Sequence, residues 1–187
     1  TTEIYTLSLH DALPISQNID TAEETYLQVI RGKTAALFSA ATQVGPVLAD
    51  APEDQVQALF DYGDALGICF QIVDDFLDYG GAGDRTGKNL GDDFRECKLT
   101  LPVIRAIAAG GAAERPFWER TLGLGQQNPG DLEHAMALMA RHGTLESTRQ
   151  AALDWAGRAR AALSPLPDHA LRGLLSDLAD FVVERVS

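Results

Sequence analysis

Phe70-Gln71-Ile72-Val73-Asp74-Asp75-Phe76-Leu77-Asp78 sets three carboxylates inside an apolar run. No glycine or proline interrupts Ile68 to Tyr79, so the run reads as helix. Residues three and four apart on a helix are neighbours, about 5–6 Å between Cβ atoms. Gln71, Asp74, Asp75 and Asp78 therefore line one face, with Val73, Phe76 and Leu77 turned toward a core. Like charges stacked on a helix cost roughly a few tenths of a kcal/mol per pair, and more where water is excluded. A cation removes that cost. An oxygen-only donor set favours a hard ion, Mg²⁺ foremost, which takes one or two carboxylates and shares its remaining shell with water and phosphates. The plainer alternative is a solvated acidic face.

The next stretch adds cations. Residues 80–98 read GGAGDRTGKNLGDDFRECK, and their glycines disfavour helix over most of the segment. Arg85, Lys88, Arg95 and Lys98 follow the acidic stripe closely, in a chain with only 15 Lys and Arg against 27 Asp and Glu. Bases gathered beside carboxylates fit a clamped polyanion: Mg²⁺ bridges it to the aspartates and lysine meets it as a point charge. A diphosphate suits this arrangement better than a carboxylate or a nucleic acid. A charge-compensated surface turn is the competing explanation.

Together, F-Q-I-V-D-D-F-L-D and G-K-N-L-G-D-D-F-R-E-C-K-L-T-L-P resemble the second aspartate-rich region of the trans-polyprenyl diphosphate synthases. Upstream, Tyr26-Leu27-Gln28-Val29-Ile30-Arg31-Gly32-Lys33-Thr34-Ala35 resembles that family's Y-L-x-x-I-x-x-K-T-A segment. The matches stand in the family's order, cover roughly residues 17–187, and look closest to long-chain members that make quinone side chains. The resemblance implies Asp74 as the leading magnesium ligand, with Asp75 and Asp78 completing or orienting the site and Asp93 supporting the metal shell. It implies that Gln71 helps position the allylic diphosphate and the cation formed beside it. It assigns Lys33 and Lys88 to the diphosphate, Thr34 to the neighbourhood of the ionising carbon, and Lys98 to the basic position before T-L-P. One departure is visible: Cys97 stands where the family usually has glycine, and a side chain there resists a positive φ.

The bulk properties set bounds. A chain of 187 residues with 45% hydrophobic content can bury one ordinary core. A net charge of −12 argues against nucleic acid as a partner. Two cysteines, Cys69 and Cys97, make no disulfide framework, which points to reduced thiols and a cytoplasmic setting. No apolar run reaches the length of a transmembrane span. Thr1–Ser16 shows no clear period, and Tyr5–Ile15 resembles a translated sequencing adapter; we set residues 1–16 apart as a non-native tail, the alternative being a genuine divergent N-terminus, and take 17–187 as the synthase domain. The family's first D-D-x-x-D would lie upstream of Tyr26, where this sequence has none. The chain therefore reads as the C-terminal half of an enzyme and is expected to be inactive alone.

The remaining segments read as helices. Thr21 with Glu24 forms a capping-box pattern ahead of a helix over about 22–43, with Tyr26, Val29, Ile30, Lys33 and Leu37 in register and Gly45-Pro46 as the break. A second helix spans about 52–79, where Gly63 and Gly67 mark a tight helix contact. Further helices fall at about 100–109, 112–122, 131–141, 145–163 and 168–186, and no stretch alternates as a strand does. His134 and His142 read as surface residues.

The expectation is thus all-α, the C-terminal portion of the isoprenoid synthase helical bundle. By resemblance, the reaction condenses an allylic diphosphate with isopentenyl diphosphate under Mg²⁺, and the full-length protein is a homodimer. Two alternatives stay open: a non-catalytic subunit of a heteromeric synthase, and another diphosphate-ionising terpenoid synthase.

Overall fold

The computed structural model describes residues 17–80 and 90–186. The proposed tail at 1–16, and Arg85 and Lys88, lie outside these residues. Among the described residues every regular element is helical: α1 Glu23–Ile30, α2 Ala36–Leu48, α3 Glu53–Gly80, α4 Asp92–Arg95, α5 Leu101–Ala109, α6 Arg115–Trp118, α7 Asp131–Arg141, α8 Thr144–Ala162 and α9 Ala170–Glu184. They fall into two compact units. Residues up to Val29 join Asp75–Thr148 in one; Ile30–Asp74 join those from Arg149 onward in the other. Helix α3 runs unbroken through both, and the division falls between Asp74 and Asp75.

In the second unit, α3 packs on α2 through its glycines, as expected. A Cβ on Gly67 would stand 2.5 Å from the Ala35 Cα, and one on Gly63 would stand 2.7 Å from the Phe38 carbonyl oxygen. Tyr62, Ala65 and Leu66 of α3 form a core with Ala159 and Leu163 of α8 and its C-terminal turn and with Ala179 of α9. The Tyr62 hydroxyl donates to the Leu175 carbonyl at 2.8 Å. In the first unit, Trp118, Tyr79, Phe94, Leu101, Leu122, Leu138 and Met139 are fully buried.

Four sequence expectations change. The helix from Tyr26 to Leu37 does not keep one register, because Arg31–Ala35 is a π-turn. A π-turn inserts one residue, so the buried stripe runs Tyr26, Ile30, Ala35, Ser39, and Leu37 ends 74% exposed. Gly45-Pro46 does not break the helix: α2 continues to Leu48, since a proline this near the end forfeits one internal bond while Ala49 and Ala51 still bond back to the Gly45 and Pro46 carbonyls. Thr21 makes no capping box; its hydroxyl donates to the Asn18 carbonyl at 2.6 Å. On α3, Phe76 and Leu77 are half-buried, whereas Asp75 and Asp78 are buried.

Candidate functional site

Asp78 is the residue on which the chain folds back. Its carbonyl accepts the Gly91 N–H at 2.8 Å. Its two carboxylate oxygens accept the N–H groups of Asp92 and Asp93, at 3.2 and 3.1 Å. Three consecutive amides are thus tied to one residue at the end of α3. Gly91 permits this with φ 77°, and a Cβ there would meet Leu132 at 2.4 Å. Burial and the nearby Asp93 push the Asp78 carboxyl up to about 6, against the opposing pull of the two amides.

Asp75 is 2% exposed, and its Oδ2 accepts the Tyr26 hydroxyl at 2.6 Å. Burial first, and then the Asp75 charge, hold the Tyr26 phenol protonated well above its ordinary range. One turn earlier in α1, Glu23 receives two bonds from Arg105 of α5, at 2.6 and 3.0 Å. Asp93 and Lys98 pair at 3.0 Å, and Lys98 also meets Glu96 at 2.6 Å. The bond to Glu96 leads in holding the Lys98 ammonium above its ordinary range. Lys98 is therefore committed to two carboxylates in this state. Cys97, flanked by Glu96 and Lys98, sits at φ 55°, the left-handed conformation glycine favours.

The other unit carries the remaining residues. Lys33 is exposed on the π-turn, a backbone irregularity that often marks functional positions. Thr34 donates to the Gln71 Oε1 at 3.0 Å, which orients that amide. Asp74 is half-buried. Gln71, Asp74, Asp75 and Asp78 follow one another at i, i+3, i+4 and i+7 of the continuous α3, as the sequence reading requires. Among the described residues, no three Asp, Glu, His or Cys side chains gather closely enough to enclose a metal ion. A pocket of about 550 Å³ at the α8–α9 turn, lined by Arg160, His169 and Arg172 among others, contains none of the residues predicted from sequence.

The sequence reading missed the Tyr26–Asp75 bond, the Arg105–Glu23 clamp and the anchoring of the returning segment by Asp78. One signal was present: Tyr26 falls on the apolar face of α1, and a buried phenol needs a partner. His134 is exposed as expected and stacks edge-on against Phe117, whereas His142 is half-buried and bonds Glu114 at 2.8 Å.

Solved structures share this architecture. The decaprenyl diphosphate synthase of Rhodobacter capsulatus superposes with a TM-score of 0.90 at 66% identity, over 95% of this chain and 55% of that one. The polyprenyl synthase of Caulobacter crescentus, in complex with calcium and isoprenyl diphosphate, gives 0.87 at 44% identity, over 95% and 54%. The fold is therefore the all-α isoprenoid synthase fold. A family profile described as Polyprenyl synthetase matches residues 3–139, beginning within the stretch set apart above as a tail. Octaprenyl diphosphate synthase of Escherichia coli is 41% identical over 168 residues, 89% of this chain and 51% of that protein. The chain belongs to the polyprenyl synthetase family, and it spans about half the length of the curated relatives it matches.

Proposed function

We propose that this chain is the acidic-helix half of a Mg²⁺-dependent prenyltransferase that condenses an allylic diphosphate with isopentenyl diphosphate, building side chains of the ubiquinone type. The observation that carries the reading is the run of oxygen donors on α3, Asp74, Asp75 and Asp78, in a chain of this family. These donors suit Mg²⁺ as a partial site: the ion needs one or two protein carboxylates and completes its shell with water and phosphate oxygens, so no enclosing cage is required. Asp74 is the leading ligand, Asp75 and Asp78 its neighbours, and Asp93 a supporting acid. When bound, Mg²⁺ takes up charge that develops on the departing diphosphate. Lys33 and Lys88 hold the diphosphate; Lys98 joins them by exchanging Glu96 for phosphate oxygens. Gln71, oriented by Thr34, presents its amide dipole toward the cation left behind. No protein nucleophile takes part.

In this reading the 187-residue chain is inactive alone, and the full-length protein is a cytoplasmic homodimer. Among the described residues no helix is long and apolar enough to cross a membrane. The test is incorporation of radiolabelled isopentenyl diphosphate. We expect none above background with the purified chain. A protein of the relatives' full length carrying these residues is expected to yield Mg²⁺-dependent, progressively longer products. Elongation by the short chain would refute the inactivity, and a cyclised or head-to-head product from the long one would favour a different terpenoid synthase.

A further inference from the structure

We infer that Tyr26 is a positioning residue for Asp75, holding its carboxylate toward the metal without neutralising it; the inference rests on the proposed role of Asp75. The bond is short, 2.6 Å, in the range of a hydroxyl donating to an ionised carboxylate. Both partners are buried, Tyr26 at 3% exposure and Asp75 at 2%. The phenol is itself held in place, since the Arg105–Glu23 clamp secures α1 one turn before it.

The chemistry of the donor distinguishes this bond from an ordinary structural one. Asp131, a buried acid elsewhere in the same unit, is gripped by a guanidinium that cancels its charge. Tyr26 is neutral, so its bond orients Asp75 and adds no counter-charge of its own. Tyr62, by comparison, satisfies its hydroxyl on a backbone carbonyl. A buried tyrosine that only fills space has that option; Tyr26 instead takes a carboxylate of the acidic stripe. Partners that orient a metal-binding side chain commonly change metal affinity by about 10–100-fold when removed.

The test is Mn²⁺ binding to the 187-residue chain, followed by loss of the free-ion electron paramagnetic resonance signal, for wild type, Tyr26→Phe, Asp75→Asn and the double variant. Circular dichroism and urea unfolding run alongside. We expect Tyr26→Phe to weaken binding about tenfold with helix content unchanged. The double variant should bind no more weakly than Asp75→Asn alone, because both changes act on one carboxylate. An unchanged affinity in Tyr26→Phe, or losses that simply multiply, overturns the positioning role while leaving Asp75 as a ligand. An unchanged affinity in Asp75→Asn defeats the reading of Asp75 itself, and the role of Tyr26 with it. A second measurement does not depend on how Tyr26→Phe folds: in fluorotyrosine-labelled wild type, the residue 26 ¹⁹F resonance, assigned by elimination, should shift on saturation with Mg²⁺. A resonance that stays put contradicts the inference.

Discussion

Asp131 and Asp78 are equally buried, at 9% and 8% exposure, and have opposite surroundings. Asp131 accepts two bonds from Arg120, both 2.8 Å, and the Asn128 N–H at 2.6 Å. The Arg120 guanidinium leads in pulling its carboxyl down to about 2. Asp78 also accepts backbone N–H groups, but its charged neighbours among the described residues are Asp93 and Asp92, and it is pushed up to about 6. Their accessible surface is alike, but loss of solvation weighs first on Asp78, with the Asp93 charge added to it, whereas the Arg120 guanidinium dominates at Asp131. An acid that serves the fold carries its own base. Asp78 has instead two acids, Asp93 and Asp92, among the groups that set its charge.

The sharpest way to break this contrast is to make Asp131 resemble Asp78. Arg120→Gln strips two charged hydrogen bonds from Asp131 and should give the largest loss of stability in urea unfolding, with solvent around Arg120 limiting its size. No resolvable loss would place the pair with ordinary surface bridges. The pH dependence follows. The Asp131 pKa is lower folded than unfolded, where it is about 3.9, so its contribution is complete above that value. It is lost as pH falls toward the folded value near 2. The stability gap between wild type and Arg120→Gln should therefore narrow between about pH 4 and pH 2. A gap of constant size across that range would contradict the assignment.

Asp78→Asn should matter less. The amide oxygen can keep one of the two backbone N–H bonds, and the repulsion from Asp93 disappears, so the net change at neutral pH should stay within about 1 kcal/mol. A loss comparable to that of Arg120→Gln would show that Asp78 serves the fold as fully as Asp131 does. Cys97→Gly gives the smallest effect. Relief of a left-handed residue, about 1 kcal/mol, is offset by the greater freedom of glycine in the unfolded chain. It is offset further by lost contacts of Sγ with Gln127 and the Thr121 carbonyl. The expected gain is no more than about 0.5 kcal/mol by thermal unfolding; a loss above about 1 kcal/mol would give those contacts the greater weight.

Much of this was legible in the sequence. The unbroken Ile68–Tyr79 run and the absence of alternation required an all-helical reading, and Gly63 and Gly67 announced a close helix contact. Cys97 marked a position that the backbone holds at a positive φ. What stayed hidden depends on tertiary partners. The π-turn at Arg31–Ala35 has no periodic signature in the sequence beyond Gly32 within the helix, yet it moves Leu37 off the buried face. The spacing of Gln71, Asp74, Asp75 and Asp78 puts them on one stripe but says nothing of depth. Asp75 is buried because Tyr26 lies 49 positions earlier in the chain, and Asp78 because the returning segment folds over its carboxylate.

The central claim is that the acidic end of α3 draws its counter-charge from a magnesium–pyrophosphate complex. Calorimetric titration of inorganic pyrophosphate into the 187-residue chain, with and without Mg²⁺, tests it most directly. The account predicts saturable binding that requires Mg²⁺ and is weakened at least about tenfold in Asp74→Asn. Binding that is equally tight without the metal, or unchanged in that variant, would contradict it.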